Sequence, residues 1–179
     1  MSSKLKTVSK AMVCLGLVAT LGLGACGGGS GGSGGSGSRN RANAVETPLL
    51  KTTWQLSGIY LNPADPGALP QDAAGTVEIV FGQSTIAGIS ACGPIRGQVE
   101  YLIENQPARP EEATAIRFQE MDFSITDAEN CIGGRAYVQE KIRTLLSGDF
   151  LIQRPGADSL ALTAATTNID APVLRWVSR

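Results

Sequence analysis

Residues 27–38 read GGGSGGSGGSGS, and no other feature limits folding so sharply. The stretch has no apolar side chain to bury and behaves as a flexible coil with an end-to-end reach of about 20 Å. Ahead of it lie a basic start (Lys4, Lys6, Lys10) and an uncharged apolar run from Ala11 to Ala25. That run is shorter than the roughly 20 residues a membrane-crossing helix needs. Gly16, Gly22 and Gly24 also lower its helix propensity. A basic start, a short apolar core and small residues at its end are the marks of a secretory signal. Folding is therefore confined to the region from about Thr47 to Arg179, enough for one domain with one core.

The apolar run closes with Leu23-Gly24-Ala25-Cys26. This tetrapeptide resembles the lipobox of bacterial lipoproteins, in which the Cys is acylated and becomes the first mature residue. The resemblance implies removal of residues 1–25 as a signal peptide, lipidation at Cys26 and a tether over residues 26–46. It implies membrane lipid as a partner, and a place on the cell membrane or outer membrane, facing the periplasm or exterior. Stable anchoring takes more than one acyl chain. The acylated Cys of that family meets this requirement.

Removing residues 1–25 takes away three lysines and no acid, so fifteen basic side chains become twelve against sixteen acidic ones, a formal −4. The basic residues are scattered. Nucleic-acid binding, which needs a concentrated basic surface, is not expected. Arg39 and Arg41 fall short of the cluster of four or more that marks a lipid-headgroup site. Processing removes Cys14 and acylation takes Cys26, which leaves two thiols, Cys92 and Cys131, in an oxidising compartment. A redox or metal pair needs a C-x-x-C or nearby histidines, and the chain has no His. A structural disulfide is the expectation.

The domain reads as short strands. Trp54 and Leu56 share a face in 52–60; Val77, Ile79 and Phe81 alternate in 76–81; Val99, Tyr101 and Ile103 alternate in 97–104. Further strands are expected over 84–89, 150–153, 159–163 and 173–177, with Pro-containing loops over 62–75 and 106–112. In 115–126, Ile116 and Phe118 lie on one parity and Met121, Phe123 and Ile125 on the other. A strand cannot change faces without an extra residue, so a bulge is expected near Gln119-Glu120. Over 135–147 the period becomes helical, with Val138, Ile142, Leu145 and Leu146 in one stripe and Gly148 as the stop. The predicted class is α+β: a curled antiparallel sheet of about seven or eight short strands with one amphipathic helix.

Three matches carry a family resemblance. They are Thr53-Trp54-Gln55-Leu56, the segment from Ile86 to Gly97 around Ala91-Cys92-Gly93, and Cys131 followed by the helix and Phe150-Leu151-Ile152. In this order they resemble the META/HslJ-like bacterial envelope domains, here covering 47–179. Ala91-Cys92-Gly93 stands where that family has Gly-Cys-Asn. The resemblance implies an envelope domain without an established reaction, often linked to stress tolerance, and it supplies no catalytic residue.

Without His there is no Ser-His-Asp or Cys-His machinery. Glu111-Glu112 and Asp127/Glu129 are the closest carboxylate pairs, and both fall in expected loops. No catalytic residue, cofactor or metal is assigned. The binding candidates are Trp54 and Trp176, which could stack on a sugar or pack the first and last strands, and Arg96 and Arg135, which a disulfide could bring together as an anion site. The expected role is that of a non-catalytic envelope lipoprotein with an unidentified envelope-protein or cell-wall partner. The alternative is a ligand-binding or protease-inhibitor module presenting loops 62–75 and 105–113.

Overall fold

A computed structural model describes residues 46–65 and 67–179. The signal segment, the acylation site Cys26 and the tether lie outside the described residues. The strands are β1 (Thr53–Tyr60), β2 (Glu78–Phe81), β3 (Thr85–Ser90), β4 (Gly93–Ile103), β5 (Gln106–Pro107), β6 (Ala115–Phe123), β7 (Gly148–Gly156), β8 (Ser159–Ala164) and β9 (Val173–Ser178). The helix α1 spans Gly133–Leu145, between β6 and β7. Each long strand pairs antiparallel with its sequence neighbour, and β9 pairs with β1. The two-residue β5 hangs on β4. The result is a closed eight-stranded up-and-down barrel.

This corrects the α+β expectation: the fold is mostly β, and the sheet is closed rather than curled. The reason is burial. One 13-residue helix cannot cover the apolar face of eight strands. The sheet covers that face itself by closing, and closure also removes both free edges. The apolar alternation points inward along the strands, except that Ile103, expected on the face of Val99 and Tyr101, is only half-buried at the end of β4. Trp54, Leu56, Ile79, Phe81, Ile86, Ile95, Val99, Tyr101, Ile116, Phe118, Phe150, Leu160, Leu162, Leu174 and Trp176 are all buried in one cluster. Phe118 lies between Phe81 and Phe150, with ring centroids 6.4 and 5.5 Å away.

The expected bulge on β6 is present. Gln98 faces Gln119, but Arg96 faces Asp122, and Glu120 takes φ +49°. Beyond it Met121 and Phe123 pack against the core. Gly97 lies opposite, where a Cβ would run into Met121 Sδ, so the bulge needs a glycine on its partner strand. Ile125 departs from the predicted parity: it lies past the end of β6 and is exposed.

The antiparallel meander sorts the connections. Those from β1 to β2, β3 to β4, β6 to β7 (which carries α1) and β8 to β9 lie at one end, here the helix end. The connections from β2 to β3, β4 to β6 and β7 to β8 lie at the other with both described termini, here the terminal end. Helix α1 has no side-chain N-cap of its own and no acid in its first turn. Asp72, from the loop after β1, accepts a hydrogen bond from the Gly134 N–H at 2.9 Å and puts a carboxylate at the helix start.

The helix buries Val138, Ile142 and the following Leu146, whereas Leu145 is only half-buried. Leu146→Ala is therefore expected to lower unfolding free energy by about 2–5 kcal/mol. Leu145→Ala should cost clearly less. Urea titration of the two variants checks the ranking, and the reverse order would mean the helix is rotated.

Candidate functional site

The barrel interior is filled by its own side chains. Trp54 and Trp176 are 0% and 1% exposed, so both binding candidates are core residues and neither ring faces a groove. The Trp54 indole N–H donates to the Leu49 carbonyl at 3.0 Å, which ties the N-terminal segment over the terminal end. The Arg154 guanidinium lies 4.8 Å from the Trp54 ring centroid. Its Nε is 2.6 Å from Glu46 Oε1 in an ion pair too bent to count as a hydrogen bond, and its Nη2 donates to the Thr47 carbonyl. Around this arginine is an open cleft of about 250 Å³, with Pro48, Leu49, Leu50, Pro110, Ala113 and Ile152 among its walls and Glu46 and Glu111 as its acids. Two Pro-containing segments meet there, the N-terminal one and the loop between β5 and β6.

The helix end is built around the disulfide. Cys92 and Cys131 are bonded, with Cα atoms 5.2 Å apart, so the β3–β4 hairpin is stapled to the segment that enters α1. Cys92 is buried; its N–H donates to Gln139 Oε1 at 3.3 Å, and its carbonyl accepts from Thr126 and Asp127 N–H at 3.1 and 3.2 Å. Arg135 is committed to this frame: its Nε donates to the Ala91 carbonyl at 2.8 Å, and its Nη2 lies 3.3 Å from Asp127 Oδ2. Arg96 sits on the outer face of β4, opposite Ala87 and Asp122. Of this candidate pair, the Arg135 guanidinium is engaged with a carbonyl and a carboxylate.

Four large apolar side chains surround the staple and are exposed: Ile89 (59%), Ile125 (56%), Ile132 (69%) and Tyr137 (41%). Sequence reasoning missed them. Ile89 and Ile125 read as alternating strand residues, and only Ile132, between Cys131 and Gly133-Gly134, stands among turn residues.

On the barrel wall Arg117 is paired with two carboxylates. Arg117 donates from Nε and Nη2 to Asp149 at 2.6 and 3.0 Å and from Nη1 to Glu100 at 3.1 Å. Those hydrogen bonds hold the Asp149 carboxyl below the usual range and push the guanidinium up. The buried Tyr101 hydroxyl donates to the Gly82 carbonyl at 2.7 Å, and burial pushes its pKa upward. These shifts all move away from neutrality. Among the described residues no group of three or more His, Cys, Asp or Glu side chains is placed to hold a metal ion.

Because Asp149 titrates lower folded than unfolded, its pairing adds stability above the ordinary aspartate pKa of about 4, and that stability is lost as pH falls through the lowered value. The advantage of the parent chain over Arg117→Gln should be constant from pH 6 to 8 and shrink below about pH 4. Denaturant titrations across that range test it, and an advantage that persists at low pH would contradict the assignment.

No family model matches the chain. No curated protein matches it significantly. Among solved structures, cholesterol-bound Japanin from Rhipicephalus appendiculatus aligns over 74% of this chain and 78% of its own, at 12% identity and a TM-score of 0.36.

Proposed function

We propose that this chain is a membrane-anchored envelope protein that works by presenting its outer surface to a partner, without turnover of its own. The observation that carries this is the filled barrel. Two tryptophans, Phe81 and Phe150 occupy the interior at 0–1% exposure, so recognition falls to the ends and the wall. The electrostatics agree. Catalysis near neutral pH wants a group whose pKa lies close to it. The groups that shift here are instead held further in their ordinary protonation states. The anchor rests on the signal features and on Cys26, and the META/HslJ-like order of motifs supports the same address.

Fractionation of producing cells, with intact-mass analysis, tests the reading. The parent chain should begin at an acylated Cys26 and stay with the membrane, while Cys26→Ser should leave it. A Cys26→Ser chain that stays membrane-bound, or a mature chain that retains Met1, would overturn the anchor. Turnover of a glycan, peptide or ester, abolished by one Asp, Glu or Lys substitution that leaves the fold intact, would overturn the non-catalytic part.

A further inference from the structure

We propose that the helix end is a docking surface for a basic protein segment that also carries apolar side chains. This rests on the surface-acting reading above and names the partner's chemistry. The apolar centre is the ring of exposed side chains around the staple. Ile89 faces Pro94 across the β3–β4 hairpin. Ile125 immediately precedes the Thr126 and Asp127 amides that bind the Cys92 carbonyl. Ile132 follows the disulfide-bonded Cys131, and Tyr137 lies little more than one helical turn further on, its hydroxyl donating to Asp65 at 3.1 Å. Ile169, in the β8–β9 connection at the same end, is fully exposed. The large exposed hydrophobics of the described residues are Ile89, Ile125, Ile132, Tyr137, Leu151, Ile169 and Val177, so most of them lie at this end. Single exposed apolar residues need no explanation, but a group gathered at one end marks an interaction site.

The rim decides the partner. The loops 61–77, 124–132 and 165–172 carry Asp65, Asp72, Asp127, Glu129 and Asp170, and not one Lys or Arg. The basic side chains near them are those of α1 and two on the strand walls: Arg135 pairs with Asp127, Arg143 with Glu140, Lys141 lies over the Tyr137 ring, Arg175 over the Tyr60 ring, and Arg96 is exposed opposite Asp122. An apolar centre inside an acidic rim favours Lys or Arg beside apolar anchors, since complementary charge guides docking and like charge opposes it. A second copy would bring the same acids against these. An anionic bilayer would be repelled by the same acids.

The test is a calorimetric titration of the chain, purified from its own envelope in detergent, with two amphipathic 14-residue peptides, one of Lys and Leu and one of Glu and Leu. The Lys/Leu peptide should bind, more weakly as salt rises. Binding should fall at least tenfold in Ile125→Ser/Ile132→Ser and in Glu129→Lys/Asp170→Lys. Leu151→Ser, exposed on the barrel wall, should bind as the parent does. Thermal melts of each variant confirm that the fold is kept. The proposal is overturned if the Lys/Leu peptide does not bind, if the Glu/Leu peptide binds as well, or if Leu151→Ser weakens binding as much as the paired variants. Self-association lost in the same variants would make the surface a contact between copies. Binding to phosphatidylglycerol vesicles lost in them would make it a lipid surface. Either outcome overturns the proposal. The anchor is read by fractionation and docking by titration, so one can fail without the other.

Discussion

Trp54→Ala is expected to lower unfolding free energy by about 3–5 kcal/mol, the range for truncating a buried tryptophan. Three losses coincide at this position. The ring is fully buried where β1 meets both β2 and β9. Its N–H holds the Leu49 carbonyl, and its face carries the Arg154 guanidinium. Removing it opens a cavity beside the strand pair that closes the barrel, and frees the segment that covers the terminal end. Against a typical total of 5–15 kcal/mol, the variant should be partly unfolded at physiological temperature. Trp54→Phe should recover most of the burial but not the hydrogen bond, leaving a deficit of about 1 kcal/mol from that bond. Urea titration followed by far-ultraviolet circular dichroism gives both values, and the remaining Trp176 does not interfere with that signal. A loss below about 1 kcal/mol for Trp54→Ala would place the ring outside the core.

The same residue shows how far the sequence reaches. Trp54 and Leu56 share one parity, which places β1 and its inward face. Parity also locates the β6 bulge, because the switch between Phe118 and Met121 has no other local solution. The helix followed from its period, and the disulfide from the absence of any other use for two cysteines. The class, however, turned on one pairing. Every barrel contact between long strands joins sequence neighbours except β1 with β9, and an open meander becomes a barrel only when Trp54 to Tyr60 meet Val173 to Ser178. That match is set by accumulated twist and stagger over the whole chain, not by the residues of either strand. Until each long strand is known to pair antiparallel with its sequence neighbour, no connection can be assigned to an end. Ile89, Ile125 and Ile132 then read as three unrelated positions, although the fold gathers them around one staple. The β1 bulge between Leu56 and Gly58 was equally silent. A Cβ at Gly58 would lie 2.7 Å from the Gly67 carbonyl oxygen, so this close approach takes a glycine.

Removing the disulfide should be the second large effect. Cys92→Ala/Cys131→Ala, or reduction of the parent chain, is expected to cost about 2–5 kcal/mol, and on the order of 10 °C in Tm. The closed loop spans a sequence separation of 39, for which chain entropy alone contributes roughly 4 kcal/mol. The loop contains β4 and β6, two of the eight barrel strands, with the short β5 between them, so the bond restrains a quarter of the barrel strands in the unfolded chain. In the folded chain it also sets where α1 begins. The hydrogen bonds from Arg135 to Ala91 and from the Cys92 amide to Gln139 both cross the same junction. They hold the hairpin and helix together only if the junction keeps its place. Loss of the bond should therefore loosen the helix end before the barrel unfolds. Amide hydrogen exchange should quicken in α1 and the β3–β4 hairpin, while β1, β8 and β9 keep their protection. Calorimetry with and without reductant, after mass spectrometry has shown complete reduction, gives the stability term, and exchange gives its location. Equal melting in both states would remove the staple from the stability of this fold. Uniform loss of protection would show that the helix end does not open separately from the barrel.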